Sequence, residues 1–304
     1  MIMDLSVIIC TWNNSRRLGI TLDSISQCVK ARNVHWQLVV VNNNCTDPTD
    51  EVVRTFLHRL PIAYVKESIQ GLSRARNAGL AAASGELIVF TDDDVKPCQE
   101  WLETYWRAHR ERPTGFYFGG PVESEYETVR PDDELLGLAP PSVRGLYLGN
   151  LARPLQRGEF FISANWACPR EALISVKGFD VRLGLNPRLG MVRVGEERDL
   201  MGRLKAQGLS AWYLPAARVV HFVPATKCCL KHIAARREAH AFSNAHKLLG
   251  GDQGAFIFGL PRWMYRTAFE LLLRWIWARV RGRRGYQEYV QFRSIIGTIR
   301  GAAQ

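Results

Sequence analysis

A mostly parallel α/β sheet covered by helices on both faces is the fold class that three observations predict. Unbroken apolar runs alternate with helical stretches from Leu5 to Asp94, the pattern of strands buried on both faces. Three of those runs end in polar clusters, Thr11-Trp12-Asn13, Asn42-Asn43-Asn44 and Asp92-Asp93-Asp94, and such sheets hold ligands at the carboxyl ends of their strands. The length, 304 residues, suffices for one large domain with its own core plus a smaller appendage.

Leu5 to Cys10 reads as the first buried strand. A helix follows from Ser15 to about Lys30, with Leu18, Leu22, Ile25 and Val29 at 3/4 spacing. Trp36 to Val41 is the second strand. The next helix spans about Asp47 to Arg59, with Pro48 at an early position where proline is tolerated. Ile62 to Val65 is a short third strand, and Ser73 to Ser84 an Ala-rich helix ended by Gly85. Glu86 to Phe90 then runs straight into the three aspartates. Between Glu111 and about residue 160 the pattern loosens: prolines at 113, 121, 131, 140, 141 and 154 indicate a long irregular insertion. Periodicity returns at Glu159 to Ile162 and in a helix from Gly195 to Ala206 that begins in acids. Beyond His221 the chain becomes helical and basic, giving an α/β domain over 1–225 and a helical region over 226–304.

Hydrophobic residues make up 47% and charged residues 23%, which excludes a disordered class. The net charge is +11. Residues 261–304 hold nine Arg, no Lys and two Glu, so +7 of it lies there and +4 in the rest. A basic tail on a nearly balanced body indicates an anionic partner, membrane or nucleic acid. No RNA-recognition motif or zinc knuckle is present, so no specific nucleic acid is expected. Seven Cys without CxxC spacing, together with an N-terminus lacking a basic region and cleavage site, predict reduced thiols in the cytoplasm.

The chemistry gathers in a few segments. In the aspartate cluster, a solvated turn competes with a site for Mg²⁺ or Mn²⁺, which take oxygen ligands from one or two carboxylates and from substrate phosphates. The Asn42–Asn44 cluster offers amides suited to a nucleobase edge, or forms an Asn-rich turn. Arg74, Arg76 and Asn77 start a helix, where cations and amide N–H groups favour phosphate. Glu196 and Glu197 open another helix. Acids are favoured there by the dipole alone, and either carboxylate could serve as a general base. His221 ends an apolar run and is either structural or a metal ligand.

The segments SVIICTWNN, LVVVNNNCTDPT, GLSRARNAGL, GELIVFTDDDV, FFISANWACPREAL, KGFD, GEERDL and AARVVHFVP together resemble the family 2 inverting glycosyltransferases of the GT-A-type fold. They occur in that family's order over residues 5 to 225. The resemblance implies a metal-dependent transfer of a sugar from a nucleoside-diphosphate sugar to a hydroxyl of a glycan, a lipid-linked acceptor or a polysaccharide precursor. Thr11, Trp12, Asn13, Asn42 and Asn44 would line the base pocket, and Arg76 and Asn77 would sit by the diphosphate. Asp92 and Asp94 would form the DxD pair with Asp93 beside them on the donor side. Asp94, Asp92 and His221 would face Mn²⁺ or Mg²⁺. Asn165 to Ala167 would lie by the donor sugar and acceptor. Glu197, with Glu196 as its competitor, would be the base. The family usually has Asp at the Asn42 position, which loosens a strict preference for a UDP-sugar over GDP- or dTDP-sugars. An inactive relative acting as a membrane-surface adaptor is the alternative. A nucleotidyltransferase would carry a Gly-rich loop after the first strand, and Thr11 to Ser15 contains no glycine.

From Pro261 to Trp277, Arg262, Arg266, Glu270 and Arg274 recur every four residues. This predicts one polar face opposite an aromatic, Leu-rich one. With Arg279 to Arg284 behind it, the segment reads as an interfacial helix on anionic lipid, placing the protein peripherally on the inner face of the membrane. A helix docked on the core or against a second subunit is the competing expectation.

Overall fold

Alternation of side chains along the first strand sets the layering. Leu5, Val7 and Ile9 enter one apolar cluster and Ile8 the other, and all four are essentially inaccessible to solvent. Each such burial contributes roughly 1.5–3 kcal/mol, so the strand is held from both sides. The computed structural model describes residues 3–28, 34–184, 194–245, 256–257 and 260–303.

The elements run β1 (Leu5–Thr11), α1 (Ser15–Ser26), β2 (Trp36–Asn42), α2 (Thr49–Phe56), β3 (Ile62–Lys66), α3 (Leu72–Ala82), β4 (Leu87–Asp92), β5 (Val95–Pro97) and α4 (Trp101–Glu111). There follow β6 (Phe116–Gly119), β7 (Val122–Tyr126), α5 (Asp133–Leu138), α6 (Pro141–Arg144), β8 (Arg153–Pro154), β9 (Trp166–Pro169) and α7 (Arg170–Ser175). The last are α8 (Glu196–Ala206), β10 (Ser210–Tyr213), β11 (Val219–Val223), α9 (Leu230–Asn244), β12 (Phe256–Ile257), β13 (Leu260–Pro261), α10 (Arg262–Val280) and α11 (Tyr286–Ala302). The expected end of the first helix, with Val29 and Lys30, lies outside the described residues.

The main sheet has the order β3-β2-β1-β4-β9-β6-β10-β8. Its first four strands are parallel, whereas β9 is antiparallel to β4 and β6, and β8 to β10. The sheet is therefore mixed, with the parallel half at the N-terminus. One face packs α1, α2 and α4 residues such as Leu18, Val53 and Trp101, and the other packs α3, α7 and α8 residues such as Leu80, Leu173 and Leu200. A second sheet of order β5-β11-β7 follows the end of β4.

The stretch read as an irregular insertion carries short elements, β6, β7, α5, α6 and β8. The prolines mark their ends: proline cannot donate to a ladder or continue a helix, so pieces of two to six residues result. Glu159 to Ile162, read as periodic, forms no strand, although Phe161 is buried.

The chain divides into two compact units. One comprises residues 1–125, 145–188 and 196–222, the other 126–144, 189–195 and 223–304. In the second, α9 and α11 lie against each other through small residues. A Cβ at Gly297 would overlap the Glu238 carbonyl, and one at Gly301 the Phe242 carbonyl. The Glu238 carboxylate accepts from Arg293 Nε at 2.6 Å and from Arg300 Nη1 at 2.8 Å. No described helix is long and apolar enough to cross a membrane.

The expected two-faced pattern of α10 holds in part: Arg262, Arg266 and Arg274 are exposed, but large apolar side chains share the outer surface with them. Its exposed positions are Arg262, Trp263 and Arg266, then Phe269, Leu273, Arg274, Ile276, Trp277, Arg279 and Val280. Met264, Ala268 and Ala278 pack inward, and the outer surface grows more apolar toward the C-terminal end.

Candidate active site

Strand order reverses at β1, whose neighbours are β2 and β4, and at such a switch point a crevice opens at the carboxyl ends. Register brings Thr11 beside Asn42 and Cys10 beside Asp92. β11 runs antiparallel to β5, with His221 opposite Val95, and the Phe222 N–H donates to the Asp94 carbonyl at 2.9 Å. The His221 imidazole, 127 positions from Asp94 in sequence, thereby comes within 3.3 Å of its carboxylate, measured from Nε2 to Oδ1.

Asp92, Asp94 and His221 each offer a ligand atom within 4.8 Å of the others. His221 Nδ1 is buried with no hydrogen bond among the described residues. Two carboxylates and an imidazole are a donor set that suits Mn²⁺ and accommodates Mg²⁺, so these residues fit a divalent cation. Burial raises the Asp92 carboxyl above its usual range, Arg76 pulls it down and Asp94 pushes it up. Asp93 is driven to about 7, by burial first and then by Asp94. A cation would relieve this crowding. Asp93 itself turns away from the other two: its carboxylate accepts from Asn14 Nδ2 at 2.8 Å, and its carbonyl from Thr21 Oγ1 at 3.0 Å.

Arg76, expected by the diphosphate, is a buried hub. Nη1 donates to Glu196 Oε1 at 3.1 Å, and Nη2 lies 3.5 Å from Glu197 Oε1 and 3.8 Å from Asp92 Oδ1. Its guanidinium carbon stands 5.2 Å from the centre of the Phe179 ring. Nη2 makes no hydrogen bond among the described residues. The two glutamates at the start of α8 are thus unequal. Glu196 is buried against Arg76, whereas the Glu197 side chain is more open to solvent. Burial, then Glu196, pushes Glu197 up to about 7 against the pull of Arg76.

Other expected site residues prove to be bound by the protein itself. Asn42 donates both amide hydrogens, to Asp50 Oδ1 at 2.9 Å and Tyr64 Oη at 2.8 Å, and accepts from the Cys45 N–H at 2.8 Å. Asp50 is held near 2, chiefly by Lys66 and then by Tyr64. Asn77 grips the Phe179 backbone with two bonds of 2.8 Å. Asn165, expected by the donor sugar, is fully buried, and its four bonds of 2.6–2.9 Å go to Trp101, Tyr105, Pro121 and Ala217. Ala167 is buried with it.

The rim at the ends of β1 and β2 is more open. Trp12 is 45% exposed. Asn13 and Asn44 adopt left-handed backbone conformations, φ 50° and 61°, which asparagine tolerates, and Asn13 Oδ1 accepts from the Thr46 N–H at 2.7 Å. The Thr11 carbonyl accepts from the Asn43 N–H at 3.0 Å. Sequence reasoning missed Ser163, whose hydroxyl donates to Asp92 Oδ2 at 3.1 Å, and Asn14. Both lie inside quoted segments, FFISANW and TWNN, and only the three-dimensional pairing separates them from their neighbours.

The model of the family described as "Glycosyl transferase family 2" matches residues 6–176. Validoxylamine A glucosyltransferase of Streptomyces hygroscopicus subsp. jinggangensis is 34% identical over 107 residues, 34% of this chain, which spans only 25% of that relative's length. A mannosyltransferase from Pyrobaculum calidifontis, solved in complex with GDP-Man and Mn²⁺, superposes with a TM-score of 0.60 at 19% identity, covering 97% of this chain and 85% of that one. S. aureus TarS 1-349 in complex with UDP-GlcNAc gives 0.58 at 14%, covering 96% and 90%. These structures share the GT-A-type fold with this protein. Because the family match covers more than half of the chain, the protein belongs to glycosyl transferase family 2.

Proposed function

We propose that this protein is a metal-dependent, inverting glycosyltransferase that moves a sugar from a nucleoside-diphosphate sugar to a hydroxyl of a glycan or lipid-linked acceptor. The supporting observation is that one buried guanidinium, Arg76, stands between Glu197 and Asp92 of the Asp92–Asp94–His221 cluster. A proton acceptor and a cation-binding group therefore flank one point of the rim.

In this reading Glu197 takes the proton of the acceptor hydroxyl. The acceptor oxygen then bonds to the anomeric carbon as the bond to the diphosphate breaks on the opposite face, which inverts the configuration. A carboxylate titrating near 7 is matched to that role at neutral pH. Asp92, Asp94 and His221 would hold Mn²⁺ or Mg²⁺, which supplies positive charge to the departing diphosphate. Arg76 Nη2 can donate to an oxygen arriving between Asp92 and Glu197. Thr11, Trp12, Asn13 and Asn44 line the base side. A UDP-sugar is the first donor to test and GDP- and dTDP-sugars the alternatives, since Asn42 has both its amide hydrogens committed to the protein. The C-terminal helices carry a peripheral contact with the inner face of the membrane.

A donor panel in thermal shift, with and without Mn²⁺, followed by turnover assays, tests the reading. Glu197→Gln keeps donor binding and loses about 10²–10⁴-fold in turnover, the usual contribution of a general base. Asp94→Ala loses the Mn²⁺-dependent part of donor binding. Normal turnover by Glu197→Gln would remove the base assignment.

A further inference from the structure

The outer surface of α10 exposes Arg262, Trp263 and Arg266 in its first turns and gathers most of its exposed apolar side chains in its last three. Phe269, Leu273, Ile276, Trp277 and Val280 are 62%, 48%, 45%, 51% and 80% exposed. Their spacing of 4, 3, 1 and 3 puts them on one side of the helix over its last three turns. Exposed apolar side chains occur singly on most surfaces, but a contiguous set of five marks a contact surface.

Charge selects the occupant. Arg274, Arg279, Arg281 and Arg283 are exposed around this patch, and the Arg281 guanidinium carbon lies 3.6 Å from the centre of the Trp277 ring. Arginine over an exposed tryptophan joins an apolar body to a charged tip, the composition that settles at a lipid–water boundary. Within α10, Glu270 is the sole acid, and it is taken by Arg266 at 2.7 Å. A second copy would bring the same arginines face to face, whereas an anionic bilayer offers apolar depth ringed by phosphates.

We infer that the C-terminal three turns of α10, with the Arg281–Arg283 turn, insert end-first into the headgroup region of an anionic phospholipid bilayer, while the Arg262–Arg266–Glu270 half stays in water. This rests on the peripheral membrane contact proposed above and fixes which part of the chain makes it. Polarity that changes along the helix favours a tilted helix over one lying flat, because a flat helix would draw Arg262 and Arg266 towards the same depth as Leu273.

Co-sedimentation of the full chain with phosphatidylcholine vesicles, with and without phosphatidylglycerol, tests it, alongside donor thermal shift on the same samples. Binding should require phosphatidylglycerol and weaken with salt. Leu273→Glu together with Ile276→Glu should abolish it, and replacing Arg279, Arg281 and Arg283 by Ala should weaken it on the order of a hundredfold. Both variants alter exposed positions and should keep the donor-induced shift. Vesicle binding unchanged in the Leu273→Glu, Ile276→Glu variant overturns the inference, as does a lipid-free dimer that this variant converts to monomer. Wild-type protein that ignores anionic vesicles yet shows the donor shift overturns it too and leaves the transferase reading standing.

Discussion

Arg76 carries three relationships at once, to Glu196, Glu197 and Asp92, and it is almost wholly buried. A buried guanidinium without acids would be costly, and so would these acids without it. Its charge lowers the proton affinity of Glu197 against burial and Glu196, and the balance leaves that carboxyl at about 7. The ionised base fraction therefore grows as pH rises through about 7, and kcat/KM should rise on that limb. Arg76→Gln removes the lowering influence, so the limb should move to higher pH, with activity falling more below neutrality than above it. Arg76→Lys, which keeps the charge, should move it less, and a pH profile of the three proteins reads the difference. At this scale legibility was uneven. The convergence of Thr11, Asn42 and the aspartates could be anticipated because they end strands of one sheet, whereas His221, inside β11 of the second sheet, was placed beside Asp94 only by the resemblance. The commitments of Asn42, Asn77 and Asn165 could not, since their partners lie up to 102 positions away and an amide looks the same in sequence whether it faces a ligand or the core.

Among the elements, the parallel half of the sheet was readable because apolar runs such as Leu38-Val39-Val40-Val41 have no other stable home than a doubly covered strand. The antiparallel insertion of β9 between β4 and β6 was not, because pairing direction leaves no mark in a four-residue run such as Trp166–Pro169. In α10 the four-residue recurrence of charge suggested a polar face. Its arginines are exposed as suggested, but with Met264, Ala268 and Ala278 packed inward, Phe269, Leu273, Ile276, Trp277 and Val280 remain on the outer surface too. The α9–α11 contact gives a test at this level. Replacing glycine within a helix normally favours the helix by up to about 1 kcal/mol, yet Gly297→Val must displace the Glu238 backbone. The clash should win, lowering stability by about 1–3 kcal/mol and depressing Tm in a thermal melt.

Across the whole molecule, charge and chemistry are partitioned along the chain. Residues 261–304 hold +7 of the +11 and belong to the second unit, while the residues of the candidate site belong to the first. The strand–helix alternation and the ordered motifs made the first unit legible. The grouping of 126–144 with the C-terminal helices was not, because it depends on contacts such as Tyr126 Oη to the Val143 carbonyl and Arg284 to Asp132, which no local pattern announces.

The unequal glutamates bear on how mutational data for this site should be interpreted. On the proposed reading, neutralising Glu197 removes the proton acceptor. Neutralising Glu196 leaves Arg76 short of its nearest counter-ion, freeing it to bind Glu197 more tightly and depress its basicity. In that reading Glu197→Gln should lose turnover across the pH range, whereas Glu196→Gln should keep part of it and move the rising limb of kcat/KM to lower pH. A pH profile separates the lost instrument from the altered tuning.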